Sequence, residues 1–151
     1  MMAVMSPFAG RLSDKIEPRI VASIGMALST LGLILISFLS QDTGLGFVIG
    51  SQVILGVGFA FFSSPNTNAV MSSVEKNFLG VAGGTLGTMR SLGQTLSLAI
   101  AMLLFSVYIG RVQITPEYYP LFLKAFKTAF IIFSVLCFAG VFASLARGKT
   151  R

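Results

Sequence analysis

Four long apolar stretches dominate this sequence and limit the folds open to it; they cover about residues 20–40, 46–68, 82–109 and 125–146. A helix needs about 20 apolar residues to cross the roughly 30 Å hydrocarbon core of a bilayer. Membrane strands instead alternate apolar and polar residues, and the run from Ala101 to Phe105 does not alternate. The sequence therefore predicts an all-α transmembrane fold with about four membrane-spanning helices.

The overall composition agrees with lipid as the surrounding medium. The chain has 151 residues, of which 54% are hydrophobic and 11% charged, whereas a soluble domain carries about 25% charged residues. The segment 1–9 is apolar but too short to span, so we expect it to be the end of a preceding helix. We expect one membrane domain over 1–151, with the lipid bilayer as its main partner.

The basic residues predict how the chain is oriented in the membrane. Alternate connections lie on opposite sides, and the side richer in lysine and arginine is cytoplasmic. One side carries seven basic residues and the other three. The seven are Arg11, Lys15, Arg19, Lys76, Arg147, Lys149 and Arg151, and the three are Arg111, Lys124 and Lys127. We therefore expect a multi-pass protein of the cell membrane with a cytoplasmic C-terminus. Because these bases form no stripe, the net charge of +6 does not predict nucleic-acid binding.

The acidic residues lie in the connections, as do two prolines of the longest connection. Pro116 and Pro120 fall in the longest connection, 110–124, where we expect them to stop a helix. No carboxylate lies within a predicted span, so a buried carboxylate for proton coupling would have to lie outside this sequence. The five acidic residues are Asp14, Glu17, Asp42, Glu75 and Glu117.

Nothing in the sequence predicts an enzyme. There is no histidine, which is the commonest general base and metal ligand. The one cysteine, Cys137, lies in an apolar run and has no second cysteine in the chain to pair with. We therefore expect no catalytic residues, no metal site and no cofactor.

Arg90 is the first functional candidate within a span, because burying a charge in lipid is costly. Gln94 follows one turn later on the same helical face, and the two could border a polar cavity. Alternatively, Arg90 lies near the inner interface and reaches the lipid head groups.

In the second span, Pro65 predicts a kink. Asn66 and Asn68 follow it, either as cavity residues or as polar residues of a helix end.

Glycines recur along the third span at spacings that favour close helix packing. Gly80 with Gly84, and Gly83 with Gly87, form two overlapping pairs four residues apart, and Gly93 extends the series. Small residues at this spacing let helix backbones approach in lipid. The glycines predict either static packing or a smooth seam along which two halves of a transporter move.

The loop between the first two apolar segments resembles a known motif. Its sequence, GRLSDKIEPR over residues 10–19, is similar to the cytoplasmic loop of the major facilitator superfamily, with a departure at Glu17 and Pro18. Further along, the glycines before Pro65, then Gly83-Gly84 and Arg90-x-x-Gly93, are similar to the closing spans of the fourteen-span drug:proton antiporters. The resemblance covers essentially the whole chain. The matching loop residues are Gly10, Leu12, Ser13, Asp14, Lys15 and Arg19.

The resemblance implies part of a C-terminal bundle of a secondary transporter. That transporter would export small amphipathic compounds, coupled to protons, by alternating access, together with an N-terminal half outside this sequence. It implies a cytoplasmic gate formed by Gly10, Arg11, Asp14, Lys15 and Arg19. Three alternatives remain open: another facilitator branch carrying sugars or anions, a small self-assembling transporter, and an interaction or regulatory module that pairs with a transporter.

Overall fold

The computed structural model describes residues 16–40, 43–110, 115 and 118–146, with the backbone alone at 18, 19 and 146. The described residues form four α-helices and no strand, and all four helices are long and apolar enough to cross a membrane. The predicted all-α transmembrane class is therefore confirmed. The helices are α1 (Pro18–Ser37), α2 (Leu45–Ser72), α3 (Leu79–Tyr108) and α4 (Tyr119–Ala146), and a 3₁₀ turn (Lys76–Phe78) precedes α3.

Several predicted boundaries differ from the observed helix ends. The helix α4 begins at Tyr119 rather than near residue 125, so the prediction that Pro120 stops a helix was wrong. Proline is tolerated in the first turn because the N–H that it lacks would have no partner there. For the same reason α1 begins at Pro18 and includes Arg19, which we had assigned to the loop. The segment 1–9 and the motif residues Gly10, Arg11, Asp14 and Lys15 lie outside the described residues.

The centre of the fold is α1, which packs antiparallel against both α2 and α4. Small residues allow the close contact with α2. A Cβ atom added to Gly25 would meet the amide nitrogen of Phe62 and lie 2.6 Å from the carbonyl carbon of Phe61. One added to Gly58 would lie 2.7 Å from the hydroxyl oxygen of Ser29. Because these neighbours are mostly backbone, only glycine permits this approach, which is the way helices associate closely in lipid.

Polar side chains also join α1 to α4. The hydroxyl of Ser23 donates a hydrogen bond to Ser144 Oγ at 2.9 Å, between the start of α1 and the end of α4. The thiol of Cys137 donates to the carbonyl of Met26 at 3.6 Å. Buried hydroxyls elsewhere, such as that of Ser51, donate to the carbonyl four residues earlier in the same helix. These bonds satisfy polar groups where lipid offers no partner.

The helix α3 is held differently, by contacts with α4 near its end and a few contacts with α2 in its first half. Near its end, the ring of Phe105 stacks on Phe122 of α4 with centroids 5.3 Å apart, and Tyr108 Oη and Thr128 Oγ1 are 3.3 Å apart. Its contacts with α2 are few. Only Ala82 is buried within α3, and residues 91–99 are all exposed. Most of the surface of α3 is therefore left uncovered by the described residues.

Candidate functional site

The side chain of Arg90 reaches from α3 across to α2. Its Nη2 atom donates a hydrogen bond to Ser63 Oγ at 3.3 Å. A second contact lies closer to the connection, where a Cβ added to Gly83 would be 3.3 Å from the terminal methyl of Met71. Both contacts lie in the halves of α2 and α3 that are next to the connection between these antiparallel helices. The turn at Lys76–Phe78 in that connection therefore sets the register that places Arg90 opposite Ser63.

A cleft of about 300 Å³ surrounds this hydrogen bond between the two helices. Its polar groups are Arg90, Ser63 and Asn66, and its walls are otherwise apolar. The apolar lining comes from Phe59, Phe62, Leu86 and Met89. We call this space the α2–α3 cleft. An apolar pocket with a few convergent polar groups is the usual form of a small-molecule site.

The cleft lies at a similar depth on both helices. Arg90 is about 16 Å along α3 from Leu79 and about 27 Å from Tyr108, at 1.5 Å per residue. Ser63 is about 27 Å along α2 from Leu45 and about 14 Å from Ser72. A helix of 30 residues centred in a bilayer core of about 30 Å would place the Arg90 backbone about 9 Å inside the core boundary.

No carboxylate in the described part of the chain neutralises the charge of Arg90, whose hydrogen bond there is to the neutral hydroxyl of Ser63. The sequence explains this, since all five acidic residues lie outside the four helices or at their margins. Glu75, the acidic residue before α3, occupies the N-cap position of the 3₁₀ turn without a side-chain capping hydrogen bond. The α2–α3 cleft is therefore a positively charged site with aromatic walls.

The structure brings together only some of the residues predicted to form a cavity. Asn66 lines the cleft with Arg90, whereas Asn68 and Gln94 are exposed and lie outside its lining. Arg90 is itself exposed, and Gln94, one turn further along the same helical face, lies beyond the cleft. Pro65 is buried within a helix that continues through it, and it removes the N–H that the carbonyl of Phe61 would otherwise bond. The kink at Pro65 stays a prediction.

The predicted seam glycines of α3 face open space within this chain. A Cβ added to any of Gly80, Gly84, Gly87 or Gly93 would have no atom within 4 Å, outside the helix's own backbone. Gly83 is the exception, through Met71. The close contacts within the chain form instead at Gly25 and Gly58. A seam along α3 stays a prediction that requires a partner beyond these helices.

A second cavity adjoins the cleft on the far side of two phenylalanines. It measures about 510 Å³ and lies between α1, α2 and α4. Phe59 and Phe62 line both spaces, and the remaining lining is mainly apolar, with Gln52 and Ser29 as its polar side chains. The two phenylalanines therefore form a shared wall between a charged cleft and a larger apolar cavity.

Two parts of this site were not predicted from the sequence. Ser63 was not recognised as the partner of Arg90, because no periodicity links residues 27 positions apart on different helices. Phe59 and Phe62 were not recognised as walls of a cleft. The segment Phe59-Ala60-Phe61-Phe62-Ser63 offered a signal, since aromatic side chains directly before a hydroxyl and a proline are candidates for a pocket in a membrane helix.

Comparisons with known proteins agree with this architecture. The family model of the Major Facilitator Superfamily matches residues 1–151. A riboflavin transporter of Clostridioides difficile is 28% identical over 141 residues, covering 93% of this chain and 31% of that protein. The tetracenomycin C resistance and export protein of Streptomyces glaucescens is 30% identical over 112 residues, 74% of this chain and 21% of that protein. No solved structure matches the chain significantly.

A multidrug resistance protein of Mycobacterium tuberculosis is also similar, at 28% identity over 99 residues, which are 66% of this chain and 18% of that protein. The chain therefore spans about a third or less of the length of these relatives. Members of the matched family are transporters, and the four described helices can each span a membrane. The chain is thus a multi-pass membrane protein and belongs to the major facilitator superfamily, as its loop motif predicts.

Proposed function

We propose that these helices belong to the C-terminal bundle of a secondary active transporter that exports small amphipathic compounds by alternating access. The observation that carries the proposal is the α2–α3 cleft, in which Arg90 and Ser63 meet between aromatic walls at the depth of the membrane core. The relatives named for riboflavin transport, tetracenomycin C export and multidrug resistance support this substrate class. Midplane sites between helices are typical of secondary transporters.

Proton coupling in this proposal depends on residues outside the chain. The spans contain no carboxylate, and intramembrane proton relays use acidic residues or histidines. The N-terminal half of the same transporter would supply them, and the relatives' greater length leaves room for such a half. Arg90, with Gln94, Asn66 and Asn68 nearby in sequence, would then contribute to the substrate path rather than carry the proton.

The open glycine face of α3 fits the same proposal. Gly80, Gly84 and Gly87 would contact the rest of the transporter, which their uncovered surface permits. The loop residues Gly10, Arg11, Asp14, Lys15 and Arg19 would latch the cytoplasmic side in one state of the cycle. Arginine and lysine would hold that loop at the anionic inner surface, on the same side as the C-terminus.

The test is export by the full-length transporter that contains these helices. In everted membrane vesicles with an imposed proton gradient, we expect uptake of a fluorescent amphipathic dye that a proton ionophore abolishes. Uptake of labelled sugar or inorganic phosphate instead would assign the protein to another branch of the family. Recovery of a separate transporter with the purified chain, lost on Gly84→Leu, would favour the interaction module.

The loop motif is tested separately in the same vesicles. We expect Asp14→Asn to lower dye export more than it lowers the amount of protein in the membrane, because the aspartate acts in one state of the cycle. Equal loss of export and of protein would show that the loop is needed only for folding.

A further inference from the structure

We propose that the α2–α3 cleft binds small aromatic anions, with the anionic oxygens at Arg90 and Ser63 and the ring system against Phe59 and Phe62. This proposal deepens the function proposed above and rests on it, because it names the charge of the molecule that the transporter takes. The balance of charge, the available hydrogen-bond donors and the shape of the walls all favour such a ligand.

The balance of charge favours an anion. Arg90 keeps its charge at physiological pH, and no carboxylate in the described residues approaches it. A charged group inside the membrane is stabilised by pairing with an opposite charge. A cationic compound in the same cleft would meet a like charge without any acidic residue in the helices to offset it.

The donors of the cleft converge on one place. A guanidinium carries five N–H donors, and in the described part of the chain one of them is used, by Ser63 Oγ. Because this oxygen accepts from Arg90, the hydroxyl hydrogen of Ser63 can donate to a ligand beside the same guanidinium. A carboxylate or sulfonate offers several acceptor oxygens and forms charge-assisted bonds with such a pair of donors.

The walls of the cleft suit a flat apolar body. Phe59 and Phe62 line the cleft and also the adjoining cavity of about 510 Å³. Aromatic rings bind other rings favourably in stacked or edge-on arrangements. The cleft itself, at about 300 Å³, lies at the lower end of the range for small-molecule pockets. A bound molecule would therefore have one or a few rings rather than an extended chain.

A lipid head group could supply an anionic oxygen as well, but the geometry favours a ligand inside the cleft. The Arg90 side chain is exposed, but its guanidinium is directed across to α2, where it bonds Ser63. A helix centred in the bilayer would hold the Arg90 backbone about 9 Å inside the core boundary. Competition with a phospholipid distinguishes the head group from a ligand inside the cleft.

The experiment compares two dyes of similar ring structure that differ in charge. The purified chain in dodecyl maltoside is titrated with anilinonaphthalene sulfonate, an anion, and with phenylnaphthylamine, its neutral counterpart, and binding to empty micelles is subtracted. The variants are Arg90→Gln, which removes the charge, and Arg90→Lys, which keeps it. Lys124→Gln is the matched control, because it removes a positive charge from an exposed position on α4.

We expect Arg90→Gln to weaken saturable binding of the sulfonate about tenfold, as loss of a charge-assisted hydrogen bond implies, and binding of the neutral dye less than about twofold. Arg90→Lys should retain most of the sulfonate affinity, and Lys124→Gln should change neither dye. Preserved helical circular dichroism in each variant shows that it is folded.

Three outcomes would overturn the proposal. Equal effects of Arg90→Gln on both dyes, or no effect, would remove the preference for anions while leaving an amphipathic site in place. Displacement of the sulfonate by phosphatidylglycerol but not by naphthalene sulfonate would assign Arg90 to lipid head groups. Absence of saturable binding of either dye to the unaltered chain would contradict the cleft as a binding site and with it the observation that carries the proposed function.

Discussion

The unit formed by α1, α2 and α4 differs from α3 in how small residues are used. Between α1 and α2, Gly25 and Gly58 bring two backbones so close that an added Cβ would meet backbone atoms. On α3, four of the five predicted seam glycines have no neighbour within 4 Å beyond their own helix. Glycine thus lies at a completed helix contact in one region and on an uncovered surface in the other.

This difference shows what glycines on a membrane helix can indicate. They indicate that another helix can approach closely, but they do not identify the partner helix. Buried residues follow the same division, with Val21, Ala22 and Ile36 buried in α1 and only Ala82 in α3. The packed unit has its partners within the chain, and α3 is attached by a stacked aromatic pair and a few polar contacts.

The largest expected effect comes from Gly25→Ala. The added methyl group would overlap the backbone of Phe61 and Phe62, and because backbone cannot rotate away we expect a loss of about 3 kcal/mol in the free energy of unfolding. The measurement is unfolding by dodecyl sulfate in mixed micelles, followed by circular dichroism.

Its matched control is Gly84→Ala, which makes the same chemical change on α3 in open space. We expect no loss of stability there, and a gain of at most about 1 kcal/mol from the better helix propensity of alanine. Similar losses in both variants would contradict the distinction between the two regions.

A smaller effect is expected when the attachment of α3 to α4 is weakened. Phe122→Ala removes the ring that stacks on Phe105, which should cost about 1 kcal/mol and broaden the distance distribution between spin labels on α3 and α4. Phe138→Ala is the control, because the ring partner of Phe138 is Phe142 of its own helix. Broadening in the control but not in Phe122→Ala would show that the stacked pair does not hold α3.

The smallest effect concerns the hydrogen bond between Arg90 and Ser63. A double-mutant cycle with Ser63→Ala and Arg90→Gln should give a coupling energy of about 0.6 kcal/mol, the average found for polar pairs between membrane helices. The same unfolding assay measures it. A coupling energy indistinguishable from zero would mean that the 3.3 Å contact does not contribute to the packing of α3.

The sequence predicted the helices more reliably than their ends. The length of each apolar run is set by the thickness of the bilayer, so four spans followed from composition alone. The start of α4 was missed because a proline signals the end of a helix in its interior but is tolerated in the first turn. Whether Pro120 begins or ends a helix depends on residues on both sides of it, which local patterns do not decide.

The candidate site was predictable only in part, for a geometric reason. Arg90 could be recognised by itself, because a charge within an apolar run is unusual. Its partner Ser63 could not, since the turn at Lys76–Phe78 fixes the register between α2 and α3. Gln94 was grouped with Arg90 by helical spacing, but it lies one turn beyond Arg90 and outside the lining of the cleft.

The most direct test of the central claim, that the open glycine face of α3 is covered by the rest of a transporter, is oxygen accessibility of a spin label. The label is placed at Gly84→Cys in a Cys137→Ala background, once in this chain alone and once in the full-length transporter. A label at Leu96→Cys, about 120° around the helix, is the control. We predict high accessibility at position 84 in the isolated chain and a clear decrease in the full-length protein. Equal accessibility at position 84 in both would contradict the account.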